Sequence, residues 1–305
     1  MIDSERLARG AVIAAPAARA GRGFWRESWE ELRSNRAGMG AAIVLCLLVA
    51  IALAAPAISG LVTHYGPTQQ DLAHAFASPG RRHWLGTDEL GRDTLTRLVY
   101  GARVSLGVGF LTVAIALTVG AAVGLLAGYY VGTLDDVLMR VVDVVLSVPP
   151  VFLYILMSIL FRPNAITLAV IIASIGWAGL ARLVRSEVLS LRTRDFIVAT
   201  RSLGASDARL ILHHVLPNAL PVMIVAASLS LGQVVLIEAA LDFLGLGIQA
   251  PTPSWGDMLS NAQVYFVHSV WLVVLPGCLI FLTVLAANVL GNAIRDAFDP
   301  RLRRA

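Results

Sequence analysis

Long apolar runs constrain this chain more than any other feature. Residues 39–61, 105–129, 165–183, 218–247 and 270–290 are each long enough, at about 1.5 Å per helical residue, to cross a hydrocarbon layer about 30 Å thick. A sixth run, from the region of Arg140 to Phe161, is as apolar but contains Ser147-Val148-Pro149-Pro150, which is expected to kink a continuous span. Lipid offers no partners to backbone N–H and C=O groups, so such runs must be helices. The ten Ile, Leu and Val residues of the first run favour insertion by roughly 3 to 6 kcal/mol, with no charge opposing them. The expected fold class is all-α: a polytopic membrane protein with six transmembrane helices. At 57% apolar and 14% charged, the composition is too apolar for a soluble globule.

All 24 basic residues are arginine, and their distribution sets an orientation. With both termini inside, eighteen fall on inner segments and six on outer ones, the bias expected of cytoplasmic loops. The lack of lysine excludes one activity. A P-loop needs the lysine of G-x-x-x-x-G-K-[ST] to reach the β- and γ-phosphates, so this sequence holds none and any ATP that drives it is bound by another chain. Cys46 and Cys278 lie within apolar runs and read as small hydrophobes. The six histidines show no metal-ligand spacing, so no metal site is expected, and His213-His214 reads as an interfacial pair. No basic patch interleaved with aromatics suggests nucleic acid.

In order, 1–38 reads as an inner segment, 39–61 as the first span, 62–104 as an outer segment, 105–293 as a five-helix core and 294–305 as an inner tail. The alanine-rich stretch 11–18, interrupted by Pro16, reads as a flexible tail rather than a signal-peptide core. Phe24, Trp25, Trp29 and Leu32 share one helical face and are expected to anchor at headgroup level. Gly120-x-x-x-Gly124-x-x-x-Gly128 has the spacing that lets two membrane helices approach closely. Asp135, Asp136, Arg140 and Asp143 are expected to pair locally near the start of the third span.

Three polar features stand out against this apolar background. The interval 187–221 is a long polar-rich stretch between two strongly apolar spans. Within its loop, 187–217, Leu203-Gly204-Ala205-Ser206-Asp207 is expected to end one short helix and begin another: Gly204 suits a C′ position, Ser206 an N-cap and Asp207 the first turn. Pro217 then opens the next span. On the outer segment, Asp88, Arg92, Asp93, Arg97 and Arg103 alternate in sign at the entrance of the second span, as a clamp on the segment or as an external gate. Glu238 falls inside the fifth run, where an ionisable side chain is costly unless it faces a wet cavity or a partner. It is a candidate for lining a translocation path, although it lies close enough to the outer end of its span to reach water.

Four stretches resemble the C-type permease subunits of dipeptide, oligopeptide and nickel ABC importers. Residues 83–106 match LGTD-x-x-GRD-x-x-[ST]-R-x-x-YGAR-x-SL; 238–256 resemble E-A-x-L-S-F-L-G-L-G followed by P-x-P-S-W-G, with Asp242 replacing the usual serine. Residues 291–303 match G-[DN]-x-x-RD-x-x-DPR-x-R, and 24–33 resemble the family's N-terminal segment. The loop around Gly204 is similar to the family's EAA loop, though the triplet here is Val198-Ala199-Thr200; the literal Glu238-Ala239-Ala240 lies elsewhere. The resemblance implies a type I ABC importer permease fold in a bacterial cytoplasmic (inner) membrane. It implies that Ala199, Thr200, Leu203, Gly204, Ala205, Ser206, Asp207 and Pro217 couple the chain to ATPase subunits, which would bind the ATP and Mg. It further implies a heterodimer with a related permease subunit, two cytoplasmic ATPase subunits and an external solute-binding protein. Peptides are the expected cargo, with nickel or another small solute as the alternative. A self-contained secondary transporter is the rival from another class, but no internal repeat supports it.

Overall fold

The computed structural model describes residues 23–298. The tail reading at 11–18 and the DPR stretch from Asp299 lie outside them. The helices are α1 (Phe24–Ser34), α2 (Arg36–Leu53), α3 (Ala55–Ile58), α4 (Thr94–Tyr129), α5 (Thr133–Ser147), α6 (Pro150–Phe161), α7 (Ala165–Arg192), α8 (Asp195–Ser202), α9 (Asp207–Leu210), α10 (Leu216–Phe243), α11 (Trp255–Val264) and α12 (Trp271–Phe298). Five helical rods are long and apolar enough to cross a membrane: α2, α4, α7, α12 and the stretch Asp207–Phe243. The sixth candidate is the pair α5 and α6, which meet at 80°.

Three expectations change. Pro149-Pro150 breaks the third span instead of kinking it, because a residue that precedes proline is driven out of the helical region. Val148 and Pro149 both precede one, and both are extended at ψ 133° and 125°; Pro150 then starts α6. The second span begins at Thr94, eleven residues before Ser105, because Asp93 caps it by accepting the Thr96 N–H at 2.8 Å. Arg97 and Arg103 are thus helical. Pro217 does lie in the first turn of α10, but no break precedes that helix: α9 runs through a π turn, Ile211–Val215, directly into α10. The wider turn accommodates the proline, and the His214 carbonyl accepts the Asn218 side-chain amide at 2.6 Å.

Contacts between elements sort the two ends of the molecule. The Trp25 ring packs edge-on against Phe298 at 5.5 Å, and Gly38 lies against Ala293, so α1, the start of α2 and the end of α12 share one end. Trp29 stays exposed. The Thr63 hydroxyl, at the end of the first span, lies 2.7 Å from that of Thr96, so the segment 64–93 sits at the opposite end.

Helices α4 and α7 form the spine. A Cβ at Gly120, Gly124 or Gly128 would come within 2.8, 2.6 and 2.7 Å of α7 atoms, including the backbone oxygens of Trp177 and Ala181. Membrane helices gain little by hiding from lipid that is as apolar as they are, so this close backbone approach supplies the attraction. Ion pairs extend the contact. Arg185 grips Asp135 with two hydrogen bonds, of 2.5 and 2.6 Å, and Arg182 reaches Asp143 at 2.7 Å. Asp135 and Asp143 therefore pair across to α7 rather than locally.

Gly124→Val forces side-chain atoms against the α7 backbone, which cannot yield. Overpacking of about 1–3 kcal/mol should lower the melting temperature of the detergent-purified protein by about 5 °C. Gly107→Val, where nothing lies within 4 Å of the added carbon, should leave it unchanged.

Candidate functional site

The stretch 193–206, which runs from α7 to α9 and contains α8, forms a protruding knuckle. Leu203 caps α8 through its N–H to the Ala199 carbonyl, and Gly204 follows at φ +85°, a conformation that disfavours any side chain. Nothing would lie within 4 Å of a Cβ there, so the tip is open. Ser206 occupies the N-cap position of α9, but its side chain makes no capping bond. Leu203 is 88% exposed, Ala199, Ser206 and Asp207 are exposed, and Thr200, Ala205 and Pro217 are half-buried. Thr200, Leu203, Gly204, Ala205, Arg209, His213 and His214 border a groove of about 570 Å³. Beneath this surface Ile197, Leu210 and Val215 are fully buried against Tyr129, Val184 and Val188. The knuckle is thus an exposed tip on a rigid apolar root.

The opposite end carries the charge cluster. Asp88 accepts from the backbone N–H groups of Leu90 and Arg92, at 3.0 and 2.9 Å, and its other oxygen takes Arg92 Nε at 2.6 Å and Arg97 Nε at 3.3 Å. Arg92 also reaches Glu89 at 2.6 Å. Arg97, 2% exposed, extends to Asp257 of α11 at 3.2 Å. Asp93 divides its oxygens between the cap of α4 and His83 Nδ1 at 2.9 Å, and Tyr65 stacks on that imidazole. Three of the five expected residues, Asp88, Arg92 and Arg97, are therefore gathered into one ionic network, and Asp93 lies beside it, its carbonyl accepting the Arg97 N–H. Arg103 is not among them: it lies on an exposed face of α4 and, among the described residues, makes no ion pair. Six residues beyond Arg97 on a helix turning 100° per residue, it points away from the cluster.

Glu238 lies about 33 Å along α10 from Leu216, far from the knuckle. Its side chain is fully buried and accepts from Ser105 Oγ at 2.8 Å. That hydroxyl in turn accepts the Trp255 backbone N–H at 3.2 Å, and the Trp255 indole donates to the Leu98 carbonyl at 3.1 Å. One turn on, Asp242 accepts from the Ile248 N–H at 2.6 Å and from the Ser254 hydroxyl, whose oxygen caps α11 through the Asp257 N–H. The serine-to-aspartate departure thus holds the chain between α10 and α11. Glu238 is closed off from solvent here; through Ser105 it joins α4, α10 and α11.

Ser105, Trp255, Asp257 and Tyr129 were missed in the sequence. Their partners lie 78 to 160 residues away, so no local spacing reveals them. Trp255 and Asp257 could have been found through the P-x-P-S-W-G stretch that contains or adjoins them. Ser105→Ala should leave the Trp255 N–H and a Glu238 oxygen unpaired, at about 1–3 kcal/mol each. The melting temperature should fall by about 5–10 °C, while Ser202→Ala, on exposed α8, changes it little.

Comparison with known proteins accounts for this layout. Residues 120–304 match the family described as binding-protein-dependent transport system inner membrane component, and residues 23–79 match the N-terminal transmembrane domain of oligopeptide transport permease C. The dipeptide transport system permease protein DppC of Alkalihalophilus pseudofirmus is 40% identical over 92% of this chain and 90% of its own. The oligopeptide transport system permease protein OppC of Bacillus subtilis is 33% identical over 92% and 91%. The glutathione transport system permease protein GsiD of Escherichia coli is 37% identical over 92% and 91%. Among solved structures, one of the MetNI methionine ABC transporter in inward-facing conformations shares the fold, with a TM-score of 0.55 at 21% identity, over 67% of this chain and 97% of that one. The chain belongs to the binding-protein-dependent transport system inner membrane components, the permease subunits of ABC importers.

Proposed function

We propose that the chain is one half of the translocation path of a dipeptide or oligopeptide importer, driven through its knuckle by separate ATPase subunits. The observation that carries this reading is the exposed tip around Leu203 and Gly204, set on a buried root that joins α4, α7 and α10. An ATPase surface closing on that tip would move the root as one body, because Ile197, Leu210 and Val215 leave it no room to shift independently. ATP and Mg would be held by the ATPase subunits; this chain supplies no group to the hydrolysis. The arginines around the knuckle and the shared end of α1 and α12 support placing that end, with both termini, in the cytoplasm.

The remaining partners follow the same logic. Val141, Val144, Val151, Phe152, Leu156 and Ile159 expose an apolar face on α5 and α6, suited to a related permease subunit across the path. The Asp88, Arg92, Asp93 and Arg97 cluster clamps the external segment beneath a solute-binding protein. The peptide class rests on the relatives, whose names specify dipeptide, oligopeptide and glutathione transport. Glu238 acts as a brace between α4 and α11 rather than as a contact for cargo.

Gly204→Asp, in the importer purified with its ATPase subunits and reconstituted in liposomes, should insert normally and still hydrolyse ATP, while uptake of radiolabelled dialanine falls at least tenfold. Full uptake would remove the docking role. In the same assay Glu238→Gln should keep uptake within about twofold of the parent, since the amide oxygen still accepts from Ser105; a large loss would restore Glu238 to the path.

A further inference from the structure

We propose that Tyr129 is a positioning residue that fastens the knuckle to α4, so that displacement of α8 and α9 is carried along α4 to the charge cluster at its other end. The proposal rests on the docking reading above. Tyr129 is the last residue of α4, 5% exposed, and three segments converge on it. Its hydroxyl donates to Asp207 Oδ1 at 2.5 Å, at the first residue of α9. The Arg201 guanidinium, in the last turn of α8, lies 5.3 Å from its ring centroid, within cation–π range. Its carbonyl accepts from Arg192, the last residue of α7, at 3.4 Å.

The helix that Tyr129 ends is suited to carrying a displacement. It runs 36 residues, about 54 Å, without a proline or a break. Its far end is fastened as firmly as the near one: Arg97 to Asp88 and Asp257, and Ser105 to Trp255 and Glu238. A phenol donating to a carboxylate is a charge-assisted bond, shorter and stronger than a neutral one. Among the contacts of Tyr129 it is the one made by a terminal side-chain atom, so it can be removed without disturbing the packed ring.

Tyr129→Phe makes that removal. In the full importer, reconstituted with its ATPase subunits, the variant should retain those subunits and continue to hydrolyse ATP, while dialanine taken up per ATP falls about tenfold. Asp207→Ala, with Tyr129 intact, should give the same loss, and it carries the test should Tyr129→Phe fail to accumulate. The double variant should be no worse than either single one, because both remove the same bond. A parental uptake-to-ATP ratio in the variants, multiplying losses in the double variant, or loss of the ATPase subunits from the Tyr129→Phe complex would each overturn the proposal. If Gly204→Asp uncouples while Tyr129→Phe does not, this link falls and the docking reading stands. If both couple normally, the docking reading falls as well.

Discussion

The close approach of α4 and α7 along Gly120, Gly124 and Gly128 is the contact on which the rest of the molecule depends. Both helices outrun the hydrocarbon layer: α4, at about 54 Å, by some 24 Å, and α7, at about 42 Å, by some 12 Å. Their projecting ends carry the knuckle on one side and the charge cluster on the other. Were the two backbones held apart by side chains, the root of the knuckle would lose the Val184 and Val188 surface that buries Ile197 and Leu210. A packing contact inside the membrane thus fixes the geometry of a surface outside it.

Charge is distributed to match. The buried ionic groups at the far end are paired several times over: Asp88 with two arginines and two backbone N–H groups, Arg97 with two carboxylates. Burying such groups is costly, and a pair of this kind contributes little net stability compared with an apolar replacement. Removing one member is another matter, because it strands its partner. The arrangement therefore ties the segment 64–93, α4 and α11 into a single unit. The apolar faces of α5 and α6, by contrast, stay exposed within one chain.

How much of this was legible in the sequence depends on the range of the interaction. The apolar runs located the spans, because solvation by lipid is a property of each residue. They did not locate the ends of α4 and α7, which are set by the Asp93 cap and by packing beyond the hydrocarbon layer. The tip at Gly204 was readable, since a positive φ after a short helix is a local demand. The break at Pro149-Pro150 was readable in principle from the same kind of rule, applied to two successive residues instead of one. Asp135 and Asp143 seemed to belong with Arg140, yet their partners are 50 and 39 residues away on α7. Glu238 seemed exposed to water or a path for the same reason: its partner Ser105 is 133 residues distant.

The central claim is that force enters this chain at the knuckle, from a subunit on the cytoplasmic side. Disulfide cross-linking addresses it most directly: Leu203→Cys, in a background with Cys46 and Cys278 replaced by alanine, is oxidised in sealed membrane vesicles together with ATPase subunits carrying single cysteines on their exposed surface. The account predicts a cross-linked product whose yield changes when ATP is added, and no labelling of the introduced thiol by an impermeant reagent applied from the external side. External labelling, or no cross-link to any ATPase position, would contradict it.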